Sequence, residues 1–273
     1  MNRDLFLAMM VNGGIPKSDR FVRVAQFVVL LVYWVYPYRL GFAETPRIAA
    51  AASLHFVMSE VQHEYVQNTG RSVEFVFGSS KSLAHQIIAG APFDSLMSAD
   101  RDSIKLLQAR GLTQGNPVVY GFGRLVLFKP KFSKLKLAAD LHGLRDLERT
   151  DSAHRVAIAD PDAAPYGSAA REALLKAGLL EDIRSRLVIG LNALQAAQFA
   201  ISGSVDAAFI PYAIASNPRI KSKGSFVRVS DALYQPLEHQ MVLTTRARND
   251  AREFMDFLLT ERASSILATY GLQ

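Results

Sequence analysis

Residues 75–94 read FVFGSSKSLAHQIIAGAPFD: a short β-branched and aromatic run, a Gly-Ser-Ser turn, then a helical pattern carrying Leu83, Ile87 and Ile88. A strand that passes through small hydroxyl residues into a helix start leaves backbone N–H groups unpaired beside side-chain hydroxyls, where the helix dipole favours negative charge. This is a seat for an anion, with Ser80 in it.

The same alternation of short apolar runs and amphipathic stretches extends on both sides, which predicts βα units and parallel sheets. Upstream, residues 48–52 read as a small-residue strand. Ser53 opens a helix whose apolar positions Leu54, Val57, Met58, Val61 and Tyr65 keep the helical period up to a stop at Gly70. Strands are expected over 73–77 and 95–98, with a helix over 101–110 ended by Gly111. The apolar run 117–129, bent by Gly121 and Gly123, reads as one long strand crossing between two lobes. A second set of units follows: strands over 155–159, 187–189 and 206–210, and helices over 168–177 and 193–201. The return crossing falls at 234–244, and one final helix at 251–270, with Phe254, Phe257, Leu258 and Ile266 inward, packs back on the first lobe. These units imply two α/β lobes with a ligand in the crevice at the carboxyl ends of the strands.

The first 43 residues stand apart. Arg20 and Arg23 precede an apolar run over 24–35 and the small-residue segment Gly41-Phe42-Ala43, which reads as a secretory signal, either cut between Ala43 and Glu44 or kept as an anchor. Without it the formal charge falls from +6 to +3. The basic balance is therefore partly a property of the leader, and no Lys/Arg cluster with interleaved aromatics suggests a nucleic-acid partner. The chain has 0 cysteines, which excludes disulfides, thiolate metal sites and a cysteine nucleophile.

Four strand-to-helix junctions bear comparison: Ala52-Ser53-Leu54, Gly78-Ser79-Ser80, Pro165-Tyr166-Gly167 and Leu191-Asn192-Ala193. Each offers free N–H groups at the positive end of a helix, and the first two add hydroxyls. Singly, Ser and Asn here read as simple N-caps. Their shared position, two in each lobe, points to an oxyanion held by neutral donors that replace its hydration shell without an arginine. The histidines (His55, His63, His85, His142, His154, His239) are scattered, which argues against a metal site. Asp94, Asp100, Asp160 and Asp162 read as capping and turn residues, and Lys81 as a solvated helix residue.

The segments Ala50-Ala51-Ala52-Ser53-Leu54, Gly78-Ser79-Ser80 with Leu83, Ala84, Gln86 and Ile87, Gly90-Ala91-Pro92, Ser98-Ala99-Asp100, and Asp160-Pro161 with Ala164-Pro165-Tyr166-Gly167 together resemble the periplasmic molybdate-binding proteins of molybdate ABC importers. The resemblance covers residues 47–270. It implies a type II periplasmic binding protein fold, each lobe a mostly parallel sheet flanked by helices, with residues 44–124 plus 234–273 in lobe 1 and 125–233 in lobe 2. It further implies a monomer that carries molybdate or tungstate to a membrane permease, needs no cofactor and performs no catalysis. Carried over by position, Ser53 and Ser80 are hydroxyl-bearing ligand residues, and Tyr166 and Ala193 give backbone N–H groups. A further tyrosine of some relatives aligns with Pro211, which leaves Tyr212, one place along, as a lesser candidate. Alternatives are another anion such as sulfate or phosphate, or an exported hydrolase with Ser80 as nucleophile and His85 or His55 as base.

Overall fold

A computed structural model describes residues 45–147 and 154–272, and the expected leader lies outside them. In chain order the strands are β1 (Arg47–Ala51), β2 (Glu74–Gly78), β3 (Ser95–Ser98), β4 (Thr113–Gly123), β5 (Leu125–Pro130), β6 (Val156–Ala159), β7 (Leu187–Gly190), β8 (Ala207–Pro211), β9 (Gly224–Arg228) and β10 (Leu237–Thr244). The longer helices are α1 (His55–Thr69), α2 (Ser80–Ile88), α3 (Arg101–Ala109), α4 (Pro165–Lys176), α5 (Ala193–Ile201), α6 (Asn249–Leu258) and α7 (Glu261–Thr269).

The strands form two sheets, ordered β2-β1-β3-β10-β4 and β7-β6-β8-β5-β9. In each, three parallel strands are followed by a reversed one, β10 or β5, that is antiparallel to both its neighbours. Each sheet is therefore mixed, with all strands but one running the same way, flanked by helices, and with the reversed strand delivered by the chain as it crosses from the other sheet. The composition of β1, RIAAA, suits its inner place: Ile48, Ala49 and Ala50 are fully buried, as expected for a strand covered on both faces.

Most of the expected elements are present, and the departures have physical causes. The run read as one crossing strand is two, β4 and β5, parted at Arg124, where the chain changes sheet. Gly123 permits the change, because a Cβ there would overlap the Tyr166 hydroxyl. Helix α4 begins three residues earlier than read, with Pro165 in its first turn, where a missing N–H costs nothing. The single C-terminal helix is two: Thr260 ends the first by stepping to extended backbone and caps the second, its hydroxyl accepting from Ala263 N–H at 3.4 Å. Both still pack against α1, the first through Phe254 and Phe257, which meet Tyr65 at ring distances of 5.2 Å, and α7 alongside it. Strand β9, a short edge partner of β5, carries no strong apolar alternation and was not foreseen.

Asp94 ties this frame together. Its carboxylate accepts from Arg47 N–H at 2.7 Å and from Arg248 Nη2 at 2.7 Å, joining the start of β1 to the approach of α6. Burial alone would raise this carboxyl; the Arg248 side chain and the two backbone donors outweigh burial and hold it below the ordinary carboxylate range.

Candidate functional site

Each of the four junctions is built so that one N–H group at the start of its helix stays unpaired. Ala51 precedes the single turn at Ala52–Leu54 and has no side chain with which to cap it. Ser79 occupies the capping position of α2, yet its hydroxyl does not cap; it donates instead to the Leu191 carbonyl at 2.5 Å. Ala164 stands before α4, again without a capping side chain, and Pro165 has no N–H, so Tyr166 presents the first donor of that helix. Asn192 does cap α5, but it serves Leu194 and Gln195 N–H at 3.0 and 3.1 Å and leaves that of Ala193. Among the described residues no oxygen accepts from the N–H of Ser53, Ser80, Tyr166 or Ala193.

The four residues line one small cavity of about 10 Å³, together with Gly78, Ser79, Ala99 and Asn192 among others. They are buried, Ser53 at 3% exposure and Ser80 at 0%, and the lining includes no charged side chain. Ser53 Oγ is buried without any hydrogen-bond partner, an arrangement that costs about 1–3 kcal/mol unless something else accepts from it. Ser80 Oγ accepts from Ala99 N–H at 3.0 Å, which leaves its own hydrogen free to donate. A neutral pocket with a surplus of donors at four helix starts fits a small anion that brings acceptors only.

Two bonds join the two sides of the cavity. Besides Ser79 to Leu191, the N–H of Lys81 donates to the Ala163 carbonyl at 3.3 Å, so the start of α2 touches two loops of the second sheet. The Lys81 side chain itself is exposed; it lines a larger groove of about 770 Å³ outside the cavity, with Asp100, Arg101, Asp162, Glu172 and Glu238. Two of the four aspartates expected to cap or turn do so, Asp100 accepting from Ser103 N–H at 2.6 Å at the head of α3 and Asp160 from Asp162 N–H at 2.9 Å; Asp94 instead pairs with Arg248, and the Asp162 side chain with Arg171 at 2.9 Å.

Some expected features are elsewhere. The Tyr212 ring packs edge-on against Phe226 and sits where a Cβ on Gly271 would reach it; it is not part of the cavity lining. The Tyr166 phenol points not into the cavity but to His239 Nε2, 3.3 Å away. Among the described residues no imidazole hydrogen-bonds Ser80: His55 packs on Phe56 and Phe77, and His85 is exposed. A nucleophile–base pair is therefore not assembled here. The sequence had marked Gly-Ser-Ser and Leu-Asn-Ala as junctions, but not that Ser79 and Leu191 would meet each other. Nothing local in either segment specifies a bond between residues 112 apart in the chain.

Two mixed α/β sheets meeting around a small uncharged cavity are the architecture of a solute-binding protein. Residues 46–273 match the family described as bacterial extracellular solute-binding protein, and the chain belongs to that family. The molybdate-binding protein ModA of Rhodobacter capsulatus is similar at 34% identity over 226 residues, 82% of this chain and 86% of that protein. ModA of Azotobacter vinelandii is similar at 29% identity over 228 residues, 82% and 88% of the two chains. Among solved structures, the Azotobacter vinelandii periplasmic molybdate-binding protein aligns with a TM-score of 0.74 at 26% identity, over 84% of this chain and 98% of that chain.

Proposed function

We propose that the protein captures molybdate or tungstate outside the cytoplasm and hands it to the membrane permease of an ABC importer. The observation that carries this reading is the convergence of four unpaired helix-start N–H groups and the partnerless Ser53 hydroxyl on one uncharged cavity. Residues 44–124 with 234–273 form one lobe and 125–233 the other, and they close on the ion as hinged halves. Ser53 and Ser80 give hydroxyl and backbone donors from the first lobe; Tyr166 and Ala193 give backbone donors from the second. The similarity to ModA proteins supports this choice of ion over other anions. The chain is exported by its leader, works in the periplasm as a monomer and breaks no bonds.

Size selects the ion. An oxyanion too small to reach both lobes leaves buried donors unpaired at about 1–3 kcal/mol each. Thermal melting against a panel of molybdate, tungstate, sulfate and phosphate tests the proposal, since only a ligand bound to the native state raises the midpoint with concentration. Molybdate and tungstate are expected to raise it and the smaller ions not to; a rise with sulfate or phosphate alone would overturn the assignment.

A further inference from the structure

Tyr166 acts at two ends. Its N–H lies at the small cavity, while its hydroxyl is 3.3 Å from Nε2 of His239; Nδ1 of the same imidazole is 3.4 Å from the Tyr120 hydroxyl. Tyr120 belongs to β4 and His239 to β10, both in the first sheet, whereas Tyr166 opens α4, which packs on the second. The three side chains are buried, His239 completely. They sit beside the crossing between sheets, where Gly123 has no Cβ because one would overlap the Tyr166 hydroxyl and come within 2.8 Å of His239 Nε2. A polar chain thus runs from the anion-facing start of α4, through the hinge, into the opposite lobe.

A neutral imidazole has one donor and one acceptor nitrogen, so it can take a hydrogen bond from one phenol and give one to the other. No carboxylate is among the ring's hydrogen-bond partners: Tyr120 and Tyr166 are phenols that burial keeps neutral, and the nearby Arg124 acts on Tyr166. Glu238 precedes His239 on β10, so it faces the other side of the strand, where it pairs with Arg101 at 2.9 Å.

We propose that Tyr120, His239 and Tyr166 form an interlobe latch that holds the ligand-facing start of α4 in the closed position, and that protonation of His239 in the opened molecule releases it. The inference rests on the oxyanion reading above. In the closed form burial holds the His239 pKa down to about 3. Once the lobes part and water reaches the ring, it returns toward its ordinary value of about 6.5. The open form then binds more protons in the window between those values. Closure is therefore fully favoured above about pH 6.5 and weakens below it, by up to about tenfold per pH unit.

The test is molybdate titration calorimetry on the whole chain, expressed with its own leader, from pH 5.5 to pH 8. Wild-type affinity is expected to be level from pH 7 to 8 and to fall roughly tenfold by pH 5.5. His239→Gln, whose amide can still meet the Tyr166 hydroxyl but does not titrate, should bind at pH 8 within about threefold of wild type, and its profile should be flat. Tyr166→Phe keeps the backbone donor but breaks the latch, so molybdate should leave it about fivefold faster at pH 8. Parallel profiles for wild type and His239→Gln, or a wild-type dissociation rate for Tyr166→Phe, would overturn the latch. Should wild type fail to bind molybdate at pH 8, the oxyanion reading falls, and the latch is then decided on the ligand-free chain. Its scattering radius should grow on going from pH 7.5 to 5.5 in wild type and stay constant in His239→Gln; equal behaviour of the two would reject it.

Discussion

Ser53 and Ser80 stand at helix starts on the first sheet, Tyr166 and Ala193 at helix starts on the second, yet the two pairs meet the cavity by different means. The first pair brings hydroxyls as well as backbone: one is partnerless and the other has its hydrogen free. The second pair brings backbone only. Ala193 has no polar side chain, and the Tyr166 phenol is directed to the hinge. The first half of the site can thus be weakened by truncating a side chain. The second can be weakened only through whatever fixes its backbone, namely Gly167 and Gly190 beneath the helices, Asn192 at the head of α5 and the contact of the Tyr166 phenol with His239.

The largest effect is therefore expected not at a donor but beneath one. A Cβ at Gly167 would overlap the Ala159 carbonyl, a backbone atom of β6 that cannot step aside. Gly167→Ala should force α4 off its sheet, lower stability by about 3 kcal/mol in a denaturant melt, and reduce oxyanion affinity beyond about a hundredfold. Serine truncation comes next. Ser80→Ala and Ser53→Ala should each weaken molybdate binding by about 1–3 kcal/mol in calorimetry, roughly 5- to 150-fold. Their effects on the melting of the ligand-free chain should differ: Ser53→Ala removes an unsatisfied buried hydroxyl and is expected to raise the midpoint, whereas Ser80→Ala strands Ala99 N–H and should lower it. The smallest effect belongs to Asn192→Ala. Losing the cap of α5 should cost about 1 kcal/mol of stability, with roughly fivefold weaker binding, since Ala193 keeps its N–H but its helix start frays. A larger loss at Asn192 than at Ser80 would reverse the proposed division between the lobes.

Much of this was legible in the sequence because it is local. The helical period of Leu54, Val57, Met58, Val61 and Tyr65 fixed the buried face of α1, and the glycine stops at Gly70 and Gly111 adopt the left-handed backbone that such stops need. The junction residues were recognisable for the same reason: hydroxyls and small residues between an apolar run and a helical pattern leave few other conformations. What escaped was set by distant contacts. The split at Arg124 depends on Gly123 lying against Tyr166, 43 residues further along, and the break before Thr260 left the apolar pattern of the C-terminal helices undisturbed. His239 looked like one of several scattered histidines. Only tertiary packing sets it between two phenols. Tyr212 was drawn in by proximity to Pro211 in sequence, but the first turn after β8 carries its ring toward Phe226 instead.

The central claim is that uncharged donors from both lobes surround a single dianion. Calorimetric titration of residues 44–273 with molybdate, run beside the Ser53→Ala/Ser80→Ala double variant, tests it most directly. The account predicts one ion bound per chain in the wild type, with affinity in the double variant lower by at least about 25-fold, the product of two losses of about fivefold each. Equal affinity in the two proteins, or a stoichiometry other than one, would contradict it.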